Sequence, residues 1–365
     1  MHVVATGTRR GAETFACDLV GALARQGVEQ RVVVLHGEPD VQLDFAAAVE
    51  RVVGNGRRIP GLGLDWARLR RLRRTVSAFA PDVLQLHGGE ALKYAAVAPP
   101  RRGALVYRRI GSTAGRRLTG LRKAMHGRLM RKASAIVSVA DAVRSETIRE
   151  FGVDESRIFT IPNGVDRERL RARSTRTATR ATLGIAPDVP VILSLGALTW
   201  EKDPLAQLEV GRRVRGRSPG AVHLFAGDGP LKSDLERAVI QAGDRESVWL
   251  LGSRDDVPDL LAATDVLLLA SATEGMPAAA IEAGMAGVPV AAYAAQGIPE
   301  VVVNGSTGLL ADPGDTAGLA QCVLRLITGT EGKAMGEEGK RRCEALFDIA
   351  PIARAYLDLY ERVAS

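Results

Sequence analysis

Short apolar runs alternate with longer amphipathic stretches almost from the first residue. HVVAT, RVVVLH, DVLQLH, ALVYRRI and AIVSV read as strands, and periodic segments between them predict helices near Glu13 to Gln26, Asp65 to Phe79 and Gly115 to Ala133. That rhythm predicts a parallel, doubly wound sheet, because strands covered by helices on both faces become continuously apolar. In the second helix Trp66, Leu69, Leu72, Val76 and Phe79 recur at helical spacing, while Arg68, Arg70, Arg71, Arg73 and Arg74 lie largely off that stripe. The pattern is that of a helix packed on a sheet with a strongly basic outer face.

From Asp166 to Arg180 the chain turns polar, rich in Arg and Thr, and loses its apolar period. This reads as the end of one domain and a linker. The alternation then restarts with VPVILSLG, a helix from about Pro204, AVHLFAGDG, a helix from about Pro230, SVWLLG, a helix near Val257, DVLLLAS, VPVAAY and TGLLADP. Two doubly wound domains in tandem are expected, about 1–175 and 185–348, with a cleft between them. Apolar Ile352, Tyr356, Leu357, Leu359 and Tyr360 predict a last helix near Ile352 to Val363. A length of 365 residues fits two cores better than one.

The formal net charge of +7 hides an asymmetry: residues 1–180 carry +16 and the remainder −9. From Arg57 to Lys132, 19 basic residues face only Asp65, Asp82 and Glu90. The stretch is read either as the solvated face of amphipathic helices or as a surface for anions, such as a charged acceptor or an anionic membrane. Aromatics at 4% and no reader motif argue against nucleic acid. Cys17, Cys322 and Cys343 are too few and too far apart for a disulfide framework or a zinc site, and no leader precedes the first strand. The expected location is the cytoplasm, with peripheral contact at the inner face of a membrane as one use of the basic stretch.

The densest chemistry lies in TEGMPAAAIEAGMAGVPV, residues 273–290. Pro277 suits the first turn of a helix, so amides near Gly275, Met276, Ala278 and Ala279 offer an anion site strengthened by the helix dipole. Glu282, one turn in, can reach a ribose diol, and Glu274 on the preceding loop can reach hydroxyls of a sugar. Lys202 follows a strand by a short turn, at the sheet end where open α/β folds bind ligands. Gly227-Asp228-Gly229-Pro230 marks a second such strand end. In the first half, His87 ends a strand before two glycines and is expected to point into a cleft, and Gly11 can let the backbone approach a phosphate. The stretch after Gly7 lacks the three-glycine dinucleotide spacing, which argues against NAD. No P-loop, nucleophile elbow, closely spaced histidine pair or Asp-x-Asp occurs.

Together these segments resemble glycosyltransferase family 4, retaining enzymes of the GT-B fold. The likeness rests on RGAE (10–13), PDVLQLH (81–87), IPNGVD (161–166), LGALTWEKD (195–203), AGDGP (226–230), the paired-glutamate unit, GIPEVV and NGSTGLLADPGD. It implies an acceptor domain, then a nucleotide-sugar domain, then a last helix (about 350–365) crossing back to the first. The donor would be a UDP- or GDP-sugar, with no metal and no cofactor, and the acceptor a hydroxyl of a lipid, polysaccharide or small natural product. Catalytic roles would fall to Glu274, His87 and Lys202. Donor contacts would come from Gly11, Gly196, Lys202, Gly229, Arg254, Glu274, Gly275, Met276, Pro277, Ala278 and Glu282. Three positions depart from the family pattern: Ala197 stands where an arginine is usual, Gln85 replaces the first histidine of His-x-His, and Arg10 replaces a glycine. A GT-B-like nucleotide-sugar epimerase or hydrolase, or a non-catalytic partner subunit, is the alternative reading.

Overall fold

The computed structural model describes the chain except residues 37–42, 57, 60–62, 98, 101, 112–119 and 365. It forms two compact units, Met1–Gly164 with Ile349–Ser365, and Val165–Asp348. Each is a parallel sheet wound on both faces by helices.

The first unit runs β1 (His2–Val4), α1 (Gly11–Ala24), β2 (Arg31–Val34), β3 (Ala48–Arg51), α2 (Trp66–Phe79), β4 (Val83–His87), α3 (Gly88–Val97), β5 (Ala104–Arg109), α4 (Gly120–Met130), β6 (Ala135–Ser138), α5 (Asp141–Phe151) and β7 (Ile158–Thr160). The order across the sheet is β3-β2-β1-β4-β5-β6-β7, with every described pairing parallel. Leu69, Leu72 and Val76 of α2 enter the core on one face. On the other, the C-terminal helix Ile349–Ala364 packs Ile352, Tyr356 and Tyr360 with Phe15 and Leu19 of α1.

Several expectations shift here. Trp66 is 59% exposed and leaves the apolar stripe, because it is the first residue of α2, beside the N-cap Asp65. Among described residues the third helix starts at Gly120, and Gly115 lies outside them. β3 and β7, too short to show a period, were not legible in the sequence.

The second unit runs α6 (Arg176–Leu183), β8 (Val191–Leu195), α7 (Pro204–Arg215), β9 (Val222–Ala226), α8 (Lys232–Ala242), β10 (Val248–Gly252), α9 (Val257–Ala263), β11 (Val266–Leu269), α10 (Ala278–Met285), β12 (Val290–Tyr293), α11 (Ile298–Val301), β13 (Gly308–Ala311), α12 (Thr316–Thr328) and α13 (Glu331–Leu346). Its sheet order is β10-β9-β8-β11-β12-β13. Winding therefore proceeds outward from β8 in one direction and from β11 in the other. The loops leaving the carboxyl ends of these neighbours diverge, and it is at such points that open α/β sheets bind ligands. Among the described residues no helix is long and apolar enough to cross a membrane.

Candidate active site

In the second unit, the loop after β8 carries Lys202 and the loop after β11 carries Glu274. Lys202 Nζ meets Glu274 Oε1 between the two loops, and Ser271 Oγ donates to the same oxygen at 2.9 Å. Two backbone bonds brace the pair: Ala272 N donates to Glu201 O at 2.9 Å, and Gly297 N to Glu274 O at 3.3 Å. Behind Lys202, Asp203 adopts a left-handed conformation and caps α7, its carboxylate accepting from Ala206 N at 3.0 Å. The lysine is thus presented by a turn whose backbone has little freedom left.

The glycines of this end serve close approach of backbones. A Cβ on Gly227 would lie 1.8 Å from Gly196 O, and one on Gly229 2.5 Å from Leu198 O. Leu198 N donates to Asp228 O and Leu231 N to Leu198 O, both at 3.0 Å. Gly196 and Gly229, two candidate donor contacts, thereby lock the loops after β8 and β9 together.

Pro277 is the N-cap of α10 with an extended backbone, and Ala278 begins the helix, one residue later than expected. No side chain among the described residues caps this end, so the first-turn amides at Ala278 and Ala279 stay open to an acceptor. Gly275 and Met276 lead into the cap. One turn on, Glu282 is buried, and its Oε1 accepts from Arg169 Nη2 at 2.9 Å. Arg254 lies between β10 and α9. Its Nε donates to Asp256 Oδ1 at 2.7 Å, a bond that raises the arginine's pKa and lowers that of Asp256.

In the first unit the structure corrects the reading of His87. Its ring is buried at 2% exposure, not open to a cleft. An ordered chain of hydrogen bonds fixes its protons. Gln30 Nε2 donates to Val20 O at 2.9 Å, which turns Gln30 Oε1 toward His2 Nε2 at 3.0 Å. His2 must donate there, so its Nδ1 accepts from His87 Nε2 at 3.2 Å. Burial first, then the charges of His2 and Arg108, drives the His87 pKa well below its ordinary value. What is left is a neutral imidazole whose Nδ1 meets no partner among the described residues.

Arg108, its partner in the β4–β5 register, is also buried; it stacks 3.7 Å over the Phe15 ring and donates to Asn163 of the IPNGVD motif. Gln85 accepts from Tyr360 Oη at 2.9 Å, so the glutamine in place of a histidine ties the sheet to the C-terminal helix. Gly11 is the exposed first residue of α1, and Arg10 its N-cap without a side-chain cap bond. Arg169, Ser271, His2, Gln30 and Arg108 were missed by sequence reasoning, which had no local signal for their partners.

Two Rossmann-like domains in one chain, the second with an acid, a base and an open helix end at its switch point, define a protein of the GT-B glycosyltransferase architecture. The chain belongs to glycosyltransferase family 4: residues 9–169 match the model described as Glycosyltransferase Family 4, and residues 175–342 that of Glycosyl transferases group 1. A 2-deoxystreptamine glucosyltransferase of Streptomyces kanamyceticus is 30% identical over 84% of this chain and 87% of its own length. The lipopolysaccharide core biosynthesis glycosyltransferase LpsD of Rhizobium meliloti is 27% identical over 98% of this chain and 96% of its own. Among solved structures, Anabaena HepE in complex with UDP and glucose superposes with a TM-score of 0.84 at 22% identity, covering 99% of this chain and 98% of that one. That last likeness concerns the fold.

Proposed function

We propose that this glycosyltransferase moves a sugar from a nucleoside diphosphate sugar, UDP-linked in the first instance, to an acceptor hydroxyl with retention at the anomeric carbon. The observation that carries the reading is the meeting of Lys202 and Glu274 at the β8/β11 switch point, with the uncapped amide end of α10 beside them. A diphosphate placed there draws Lys202 away from Glu274 and takes the α10 amides as donors, which stabilises the charge that grows as the anomeric C–O bond breaks. Glu274, relieved of its cation, accepts from sugar hydroxyls, and Glu282 accepts from the ribose.

The acceptor oxygen bonds to the anomeric carbon on the face the phosphate vacates. Its proton passes to a leaving phosphate oxygen, and the products are a glycoside and a nucleoside diphosphate. Glu274 forms no covalent bond in this scheme, and no metal takes part. A buried, neutral His87 with Nε2 already engaged does not act as the base; it shapes the first unit from within. The UDP preference is supported by the HepE complexes with UDP and UDP-glucose. The relatives that act on 2-deoxystreptamine and on a lipopolysaccharide core keep small natural products and larger glycans both in view for the acceptor.

The test is incubation with UDP-, GDP- and dTDP-sugars, with and without candidate acceptors, in chelator, following nucleoside diphosphate release and the configuration of the product by NMR. Transfer with retention is expected. Release without acceptor dependence points to the hydrolase or epimerase, and absence of both binding and turnover to the non-catalytic partner.

A further inference from the structure

Glu282 occupies a protected place. Its carboxylate is one turn inside α10, and the only polar group on Oε1 among the described residues is Arg169 Nη2 at 2.9 Å. The other oxygen, Oε2, accepts from no described residue in the structure.

Arg169 arrives from a turn fastened to the second unit on both sides. Before it, Val165 N donates to Phe347 O at 2.9 Å, and Arg167 pairs with Glu344 at 3.1 Å and Asp348 at 3.0 Å. After it, the amides of Arg173 and Ser174 both donate to Asp259 Oδ1, at 2.7 and 2.8 Å. With the backbone fixed on both sides, the segment presents Arg169 to Glu282 with less chain entropy left to lose on forming their contact.

The electrostatics argue in the same direction. Glu274 and Glu282 bring two carboxylates to a loop and helix proposed to hold an anionic diphosphate, and the arginine usual at position 197 is alanine here. Lys202 covers the first carboxylate and Arg169 the second. Without Arg169 the second charge would stand uncompensated beside the donor.

We propose that Arg169 is a positioning residue for the donor: it pins Glu282 through Oε1 so that Oε2 faces the vicinal diol of a ribonucleoside, and it offsets the carboxylate charge. The inference rests on the reading of Glu282 as the ribose ligand. It also makes the chain selective for ribonucleoside over 2′-deoxyribonucleoside diphosphates.

Calorimetric titration of the full chain with UDP and with 2′-deoxy-UDP separates the two levels. Glu282→Ala should weaken UDP about 30-fold, Arg169→Ala about tenfold and Arg169→Lys about threefold, as expected for charge-assisted bonds lost or lengthened. Because Arg169 acts through Glu282, the double variant should bind no more weakly than Glu282→Ala alone, whereas a merely structural arginine would add its own loss. 2′-Deoxy-UDP should bind the parent chain about tenfold more weakly than UDP, a gap that narrows in Arg169→Ala. If Arg169→Ala unfolds, Arg169→Lys and Arg169→Gln carry the same comparison. Additive losses, or UDP binding unchanged by Arg169 substitution while Glu282→Ala weakens it, overturn the role of Arg169. UDP binding unchanged by Glu282→Ala overturns the ribose reading itself, and this proposal falls with it.

Discussion

Lys202 shows how one partly buried cation is held by a partner far away in the sequence. Its ammonium is partnered by Glu274 in the ligand-free chain, which keeps a partly buried cation from standing alone, yet a diphosphate offers it more negative charge than one carboxylate. Removing the ammonium should therefore cost turnover more than stability. Lys202→Met is expected to lower kcat by about 10²- to 10³-fold, the range for loss of one charge-stabilising donor, with a melting shift of only a few degrees. Steady-state kinetics beside a thermal melt check this, and a kcat within a few-fold of the parent would remove Lys202 from the proposed mechanism. The residue types here were legible: a lysine after a strand and two glutamates around a helix start. Their pairing was not, because Lys202 and Glu274 lie 72 residues apart, and Arg169 and Glu282 lie 113 apart. No periodicity within a single element carries that information.

At the scale of elements, α2 is the clearest case of a pattern read correctly in one half and wrongly in the other. Leu69, Leu72 and Val76 are buried as the spacing demands, while Trp66 projects to solvent beside the exposed Arg70, Arg73 and Arg74. An exposed Trp with arginines on one helix face is chemistry suited to an anionic headgroup layer. We expect salt-sensitive co-sedimentation with anionic vesicles and none with zwitterionic ones, and loss of binding when Arg70, Arg73 and Arg74 are changed to Glu. Equal binding to both vesicle types, or binding to neither, would leave the basic face as a solvated surface. The loops after β8 and β9 teach a second lesson: the glycine turn 227–230 read as a strand end facing a ligand, and the structure shows that Gly227 and Gly229 also let two backbones touch.

The whole molecule carries an acid sensitivity that its composition does not disclose. Burial lowers the pKa of His2 to about 3, His126 to about 4 and His223 to about 3, and takes His87 well below its ordinary value. Unfolded, each takes up a proton near pH 6.5. Between that value and the folded ones the unfolded state binds more protons, so the histidine contribution to stability is complete above about pH 6.5 and falls as pH drops, by about 1.4 kcal/mol per unit per histidine. Three of the four belong to the first unit. From pH 7 to pH 5, His2 and His126 should together cost that unit roughly 4 kcal/mol and His223 should cost the second roughly 2; His87 and the buried Met1 amine, its pKa lowered to about 5, deepen the loss in the first unit, and Glu13, whose pKa burial raises, offsets part of it. Trp66 reports the first unit once Trp200 and Trp249, both in the second, are changed to Phe. Chemical denaturation of that variant should show the larger acid loss, and a midpoint independent of pH between 7 and 5 would mean that these histidines are not buried neutral.

The sequence by itself determined the two parallel wound sheets and the strand-end loops that carry Lys202 and Glu274. Those features follow from local period and from the turn residues between strands, both readable in short windows. Tertiary structure alone decided that His87 lies inside, its protons set by a chain from Val20 O through Gln30 and His2, that Gln85 serves Tyr360, and that Arg169 holds Glu282. Each of these joins side chains from separate elements, and sheet order and register, not local sequence, bring such elements within hydrogen-bond reach.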